Sequence, residues 1–137
     1  YRSCSIAEPL VLSATFELQK CDPVALREKV KEIFAWKKER QPLAEASAGC
    51  IFKNPMSETG KRISAGKLID SVGLKGTTIG GASVSRQHAN FITTTTQATT
   101  NDVIQLIREI KTQVFDTTSI ILQEEVVIWS RDPEMQR

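Results

Sequence analysis

The sequence predicts an α+β domain, in which a small and mostly antiparallel sheet has helices packed on one face. Three observations support this prediction: two long segments carry apolar residues at helical spacing, several short segments are rich in strand-forming residues, and glycines or prolines separate them. The predicted order of elements is β-α-loop-α-β-β-α-β, which is typical of helices beside a small sheet. A chain of 137 residues fits one domain and is long enough to bury a core.

The first half of the chain contains a predicted strand, a helix and a long loop. Residues 11–18 alternate between apolar and polar side chains, as a half-buried strand requires. The Asp-Pro pair at 22–23 supplies an N-cap and a first helical residue, and this helix is predicted to run to about Arg40. The Gln-Pro pair at 41–42 stops it. Residues 43–60 are predicted to form a loop.

The glycine-containing middle of the chain predicts a short helix and two strands. Residues 64–72 have a helical pattern, and Gly73 suits the left-handed position that ends a helix. Residues 79–85 contain two glycines and therefore fit a strand or a bulge better than a helix. Residues 90–92 and the threonines after them predict another strand.

The last third predicts a capped amphipathic helix and a closing strand. Thr99 and Asp102 resemble a weak capping box, with aspartate in place of the usual glutamate. A helix of about three turns follows, and its apolar face consists of Val103, Leu106, Ile107, Ile110 and Val114. The closing strand is predicted near residues 125–129.

Composition excludes several classes of function. The net charge is +2, so no strong nucleic-acid-binding field is expected, and no apolar run is long enough to span a bilayer. The three cysteines are odd in number and lack a C-x-x-C spacing, and with a single histidine they predict no metal site. Unpaired, scattered cysteines favour a reducing cytoplasm.

The chain opens on Tyr1-Arg2 without a methionine, which indicates a fragment or a processed chain. Residues 1–20 are therefore assigned to a neighbouring unit, and residues 21–137 to the main domain. The boundary is expected at residues 21–23, where the predicted first strand has ended and a helix is about to begin.

Residues 48–55, Ala-Gly-Cys-Ile-Phe-Lys-Asn-Pro, are the strongest chemical candidate because small residues let a backbone approach a ligand closely. Cys50 could donate a proton, since a nearby cation lowers the pKa of a thiol, and Lys53 and Asn54 could hold ligand oxygens. The alternative is structural: Cys50 is then a small buried hydrophobe, and Lys53 and Asn54 are solvated loop residues.

Three further candidates each have a structural alternative. Glu125 could be a reactive carboxylate or the solvated end of a strand. Arg40 could contact phosphates or simply complement the C-terminal end of its helix. His88 could line a ligand site or satisfy the edge of a sheet.

Several motifs together resemble one family, the bacterial UDP-N-acetylenolpyruvoylglucosamine reductases. Residues 48–55 match its Ala-Gly-Ser-x-Phe-Lys-Asn-Pro signature, with Cys50 at the serine position that some members fill with cysteine. Residues 79–92 match its Ile-Gly-Gly-Ala-x-Val-Ser-x-x-His-Ala-Asn-Phe-Ile pattern, and residues 122–126 match Leu-Glu-x-Glu-Val. Tyr1-Arg2 matches a Tyr-Arg-x-Ser motif. The departures are Cys4, Gln123 and Ser130, where the family commonly has serine, glutamate and glycine.

The resemblance implies a role for each matching residue. Cys50 is the acid that protonates the substrate carbon, Glu125 stabilises the developing enol, and Arg2 pairs with the substrate carboxylate. The expected substrate-binding residues are Tyr1, Arg40, Asn54, Gln87 and His88. No residue of this chain is expected to bind the cofactor or a metal.

The resemblance also implies an activity and a domain assignment. Residues 1–20 are the terminal strand of a flavin-binding part, and residues 21–137 are the C-terminal substrate-binding domain. The full-length enzyme would use NADPH and FAD, the latter bound mainly by the N-terminal part, to reduce UDP-N-acetylglucosamine enolpyruvate to UDP-N-acetylmuramate for peptidoglycan synthesis. The implied partners are this nucleotide sugar and the FAD-binding domain of the same protein, and the isolated chain is expected to be inactive. The alternative function is a stand-alone nucleotide-sugar-binding or regulatory module.

Overall fold

A computed structural model describes residues 12–57 and 59–129. In chain order, the elements are α1 (Pro23–Arg40), β1 (Ala46–Cys50), α2 (Ala65–Ser71), β2 (Thr78–Ile79), β3 (Ala82–Val84), β4 (Phe91–Thr94) and α3 (Thr100–Thr118). The four strands form one antiparallel sheet in the order β1-β4-β3-β2. The predicted α+β class with a small antiparallel sheet is therefore confirmed.

The core lies between α3 and the sheet. Helix α3 contacts β2 and β3 and also packs against α2. Its apolar stripe is buried because every third or fourth side chain faces the strands, and the stripe consists of Leu106, Ile107, Ile110 and Val114. Each such side chain, when fully buried, contributes about 1.5–3 kcal/mol relative to exposure. Across the sheet, Ala82, Val84 and Ile92 complete this cluster.

The N-terminus of α3 is fixed by a complete capping box, as predicted. The Thr99 side chain accepts from the Asp102 amide at 3.2 Å, and the Asp102 carboxylate accepts from the Thr99 amide at 2.9 Å. The same carboxylate accepts from the Gly81 amide at 3.1 Å, which ties the helix to the turn between β2 and β3. These backbone hydrogen bonds lower the pKa of Asp102 below its ordinary value. The helix is longer than the predicted three turns, because it continues to Thr118.

Two predictions in the middle of the chain are corrected. The strand or bulge predicted over residues 79–85 is two strands, β2 and β3, because Gly80 has a φ of +54° and turns the chain back between them. Residues 43–60 are not a continuous loop, since β1 spans Ala46–Cys50. The small residues of β1 hide its strand character, and pairing with β4 supplies the hydrogen bonds that hold it extended.

The predicted strands at the two ends are wrong within the described residues. Residues 12–18 form no strand and are all exposed, because no described strand lies beside them to complete a ladder. Residues 125–129 also form no strand, although an isolated bridge between Phe52 and Glu124 lies just before them and the Glu125 amide donates to the Ile51 carbonyl. The first residue of the predicted strand, Val11, lies outside the described residues.

Helix α1 forms where predicted but does not join the core. Asp22 caps it by accepting from the Val24 amide at 3.0 Å, and Gln41 ends it. No residue of α1 is buried, so the prediction of helices packed on the sheet holds for α3, and α2 packs against α3. Among the described helices, none combines the length and apolar character needed to cross a bilayer.

The turn between β2 and β3 should tolerate no added methyl group at Gly81. A Cβ there would lie 2.5 Å from the Ala98 backbone, so Gly81→Ala should lower the free energy of unfolding by about 3 kcal/mol. The control is Gly73→Ala, where φ is +76° but the space is open, and this change should cost about 1 kcal/mol. Urea denaturation measures both, and equal losses would show that Gly81 is not sterically confined.

Candidate functional site

A β-bulge sets the direction of Cys50. Ser47 pairs with Thr93 and Cys50 pairs with Phe91, so β1 has one residue more than β4 between these pairs. Gly49 takes a φ of +88°, which an L side chain rarely adopts, and this permits the bulge. Cys50 is half-buried at the end of β1, where the chain leaves the sheet. The short apolar pair that follows it, Ile51-Phe52, is buried.

Asn90 holds the segment after Cys50 in place. Its side-chain oxygen accepts from the Phe52 amide at 2.9 Å, and its side-chain nitrogen donates to the Phe52 carbonyl at 2.9 Å. Its backbone carbonyl accepts from the Ile51 amide, also at 2.9 Å. Asn90 is only 3% exposed, so these bonds are protected from water. The Asn90 side chain therefore supplies the two hydrogen bonds that a neighbouring strand would otherwise make, at the point where the ladder of β1 ends.

The segment that contains Glu125 lies on the other side of the same residues. The Glu125 amide donates to the Ile51 carbonyl at 2.7 Å, and the Lys53 amide donates to the Gln123 carbonyl at 2.9 Å. Glu125 is half-buried. Although 75 positions separate Cys50 and Glu125 in sequence, their segments run side by side, because the Glu125 backbone binds the residue directly after Cys50.

An ion pair fixes this second segment to α3. Lys111 donates to the Glu124 carboxylate at 2.7 Å, and both side chains are partly buried. Burial opposes ionisation of Glu124, but the hydrogen bond and charge of Lys111, together with a backbone hydrogen bond, lower the pKa of its carboxyl overall. The position of Glu125 consequently depends on α3 as well as on Ile51.

The loop between β3 and β4 presents Gln87 and His88. The buried Ser85 hydroxyl accepts from the amides of Gln87 and His88 at 3.2 and 3.3 Å, which fixes the turn. The Nδ1 atom of His88 accepts from the Asn90 amide at 3.2 Å, so the neutral ring carries its proton on Nε2. The ring also meets the edge of Phe91 at 4.8 Å between centroids.

Burial lowers the pKa of His88 below its ordinary value of 6.5. A backbone hydrogen bond partly opposes this shift, and the positive charge of Lys75 adds to it. Gly66 of α2 lies against the ring, because a Cβ at that position would approach the His88 Cε1 atom to 3.0 Å. His88 is therefore a neutral donor in a confined place.

Asn54 has a structural contact in addition to its predicted ligand role. Its side-chain oxygen accepts from the Ala65 amide at 2.9 Å and so caps the start of α2 beside Ser64. The residue remains exposed. It lines an open cavity of about 1080 Å³, whose wall consists of Lys53, Asn54, Pro55, Met56, Ser57, Thr59, Arg62, Ile63, Ser119, Ile120, Ile121 and Gln123.

Arg40 is the last residue of α1, and the Gln87 side chain contacts the same end of this helix. The Gln87 side chain donates to the Lys38 carbonyl and thereby links α1 to the β3–β4 loop. The Arg40 guanidinium lies 4.9 Å from the Trp36 ring centroid and also reaches the Trp36 carbonyl at 3.5 Å. This second contact is the one expected of a cation that complements a helix end. Gln87 lines a second cleft of about 650 Å³ on the sheet side of the loop.

The structure thus joins some predicted site residues directly and leaves others apart. The segments of Cys50 and Glu125 are hydrogen-bonded through Ile51, and His88 is connected to the segment after Cys50 through Asn90. Neither Cys50 nor Glu125 lines the cavity at Asn54. Tyr1 and Arg2 lie outside the described residues. The sequence analysis did not single out Asn90 or Ser85, which hold these segments in place. The pattern that could have indicated them is a polar residue among the apolar positions of a predicted strand.

Comparison with known proteins identifies the family. Residues 41–129 match the family model described as UDP-N-acetylenolpyruvoylglucosamine reductase, C-terminal domain. The reductase of Chloroflexus aurantiacus is 44% identical over 120 residues, and that of Anoxybacillus flavithermus is 42% identical over 125 residues. The crystal structure of the Thermus caldophilus enzyme, MurB, has a TM-score of 0.65 at 34% identity.

This chain belongs to the UDP-N-acetylenolpyruvoylglucosamine reductase family. The alignments cover 88% and 89% of this chain, but only 38% and 39% of the two relatives. The Thermus caldophilus structure shows the same proportion, with 83% of this chain matched to 38% of that chain. The resemblance found from the motifs is therefore confirmed, and this chain corresponds to the C-terminal domain of the MurB relatives.

The stability of this domain should fall as the pH is lowered from about 7 to 5. Because the folded-state pKa of His88 lies below 6.5, the unfolded chain binds more protons than the folded chain in this pH range. The stabilisation linked to neutral His88 is therefore present above pH 6.5 and is lost on acidification. His88→Gln should flatten this part of the profile, measured by urea denaturation at each pH. The carboxyls of Asp102 and Glu124 affect the pH dependence of stability at lower pH, because the pKa of each is lowered from its ordinary value of 3.8 or 4.5. An unchanged slope in His88→Gln would contradict the assignment.

Proposed function

We propose that this chain is the substrate-binding and proton-donating part of an NADPH-dependent UDP-N-acetylenolpyruvoylglucosamine reductase. The observation that supports the proposal most directly is the hydrogen bond from the Glu125 amide to the Ile51 carbonyl, which brings the segment of Glu125 alongside the residue that follows Cys50. The matched family supplies the substrate class, since the relatives are named for this reaction. The whole reaction would yield UDP-N-acetylmuramate, a precursor of peptidoglycan.

The cofactor belongs to another part of such an enzyme. The described residues form an antiparallel sheet and contain no parallel βαβ unit of the kind that binds dinucleotides. We assign FAD to the part of such an enzyme that lies outside the matched region, because the relatives extend well beyond it. When bound there and reduced by NADPH, FAD would supply hydride to the enolpyruvyl double bond.

Cys50 and Glu125 would complete the addition across that double bond. The carbon next to the substrate carboxylate gains electron density, and Glu125 would assist protonation and stabilise the developing enol, as the family resemblance implies. Cys50 would then transfer the proton of its thiol to this carbon. A thiol can serve as this acid because its ordinary pKa, about 8.5, is far below that of a serine hydroxyl.

The remaining residues would hold the nucleotide sugar. His88 would offer the Nε2 proton as a donor, because Asn90 already occupies Nδ1. Asn54 would use its side-chain nitrogen, since its oxygen caps α2. Arg40 and Gln87 would act at the phosphates from the end of α1, and Tyr1 with Arg2 would reach the substrate carboxylate, where a guanidinium can bind in a bidentate manner.

Helix α1 would dock the FAD-binding domain of the same protein. Leu26, Val30, Ile33 and Phe34 recur at helical spacing, and Val30 and Phe34 are 57% and 59% exposed. The relatives extend well beyond the matched region, so their remaining length offers a partner for this apolar stripe.

A reaction that uses NADPH and a nucleotide-sugar precursor places the complete enzyme in the cytoplasm.

The catalytic proposal is tested by pairing this chain with the separately expressed flavin-binding part of the Chloroflexus aurantiacus relative. Substrate-dependent NADPH oxidation should fall by about 10²–10⁴-fold in Cys50→Ala, because a general acid contributes that much, and Cys50→Ser should retain part of the activity. Cys21→Ala is the matched control, because Cys21 is exposed and precedes α1.

Unchanged turnover in Cys50→Ala would remove the thiol from the reaction. A chain that binds the nucleotide sugar but restores no NADPH oxidation in the pair would instead support the alternative, a nucleotide-sugar-binding module. Protection of Cys50 from alkylation by UDP-N-acetylglucosamine enolpyruvate, compared with Cys21, reports ligand binding independently of turnover.

The docking proposal predicts that a charge in the α1 stripe weakens association. Val30→Glu should raise the Kd for the flavin-binding part at least about tenfold, since it buries a charge without a partner. Ala35→Glu introduces the same charge on the opposite side of the helix and should have little effect. Trp36 fluorescence can follow the titration, because this side chain is half exposed on α1. Equal effects of the two substitutions would contradict docking through this stripe.

A further inference from the structure

We propose that Asn90 is a positioning residue for the proton donor, in a role that rests on the function proposed for Cys50. The first observation is its side-chain geometry. Both polar atoms of the Asn90 side chain bind one residue, because its oxygen accepts from the Phe52 amide and its nitrogen donates to the Phe52 carbonyl. Both bonds measure 2.9 Å, and the residue is almost completely buried.

The location of this contact is the second observation. The regular pairing of β1 with β4 ends at Cys50 and Phe91, directly after a bulge. Beyond that point Phe52 has no partner strand on the β4 side, and the Asn90 side chain supplies both of its hydrogen bonds there. A bulged strand end without such support would sample several directions, so the amide fixes where the preceding thiol points.

The backbone of Asn90 connects the remaining candidate residues. Its amide donates to His88 Nδ1, and its carbonyl accepts from Ile51, whose own carbonyl accepts from the Glu125 amide. One residue therefore sets the relative positions of the thiol, the carboxylate and the imidazole. A substitution of the side chain removes only the Phe52 clamp, because the backbone contacts remain.

Asparagine is chemically specific for this task. Asp has the same shape, but an ionised carboxylate has no proton to donate and would face the Phe52 carbonyl with a negative charge. Alanine leaves two buried backbone groups of Phe52 without partners. Both changes should loosen the segment after Cys50, by different chemistry.

The experiment measures the reactivity of Cys50 in the 137-residue chain with Cys4→Ser and Cys21→Ser, so that Cys50 is the only thiol. Asn90→Ala and Asn90→Asp should speed alkylation by iodoacetamide at pH 8 at least about fivefold, since thiol reactivity follows access. Ile107→Ala, in the buried stripe of α3, is the control for general loss of stability. Thermal unfolding of each variant shows whether the chain remains folded.

The effect of Asn90→Asp should also depend on pH. Protonation of the new carboxyl restores a donor toward the Phe52 carbonyl, so the ratio of its alkylation rate to that of the parent should approach one on acidification. The same ratio for Asn90→Ala should stay constant. An unchanged alkylation rate in both variants, or an equal acceleration in Ile107→Ala at a matched loss of thermal stability, would overturn the proposal.

In the reconstituted pair, Asn90→Ala should lower kcat at least about tenfold and leave the substrate KM within about twofold, because misplacement affects the reacting group more than binding. A rise in KM with unchanged kcat would contradict positioning. The alkylation result stands independently of turnover. If Cys50→Ala retains full activity, the proposed role of the thiol fails, whereas the effect of Asn90 on Cys50 is still decided by alkylation.

Discussion

The two hydrogen bonds between the Asn90 side chain and the Phe52 backbone are the contact on which the rest of the site depends. A chain that leaves a sheet through a bulge loses the ladder that would otherwise fix its direction. Here a buried amide replaces the missing strand and satisfies both polar groups of Phe52. Loss of such partners leaves buried groups unsatisfied, at a cost of about 1–3 kcal/mol for each.

The rest of the domain supports this contact from two sides. Strand β4 and the Ser85 turn hold Asn90 itself, and the buried hydroxyl of Ser85 organises the residues before it. On the other side, α3 holds the segment of Glu125 through the ion pair of Lys111 with Glu124. The helix that forms the core thus also determines where the carboxylate lies. The same contacts stabilise the fold and position the site, so substitutions in these contacts should change both stability and the geometry of the site.

The sequence predicted those elements whose signals are local. The Asp-Pro start of α1, the capping box at Thr99 and the left-handed Gly73 each depend on neighbouring residues, and all three occur. Strand β1 was missed because Ala, Ser and Gly have weak strand propensity, and its extended form comes from pairing with β4. The strands expected at residues 11–18 and 125–129 do not form within the described residues, because an alternating or apolar pattern needs a partner strand.

The candidate site, like the fold, was predictable from the sequence where its signal is local. The motifs at residues 48–55 and 122–126 identified Cys50 and Glu125 through their resemblance to a family, and the fold brings their segments together. Asn90 was missed as a functional residue because its side chain acts on Phe52, 38 positions away, and no local pattern reveals such a contact. Arg40 was expected near phosphates, whereas its described contacts are those of a helix end.

The central claim is that Cys50 and Glu125 act on one ligand carbon. A double-mutant cycle in the reconstituted enzyme, using Cys50→Ala, Glu125→Gln and the combined variant, tests it most directly by comparing kcat for substrate-dependent NADPH oxidation. Groups that serve the same step are strongly non-additive. If both groups serve one step, the combined variant should be hardly slower than the slower of the two single variants. A combined loss equal to the product of the single losses would contradict it.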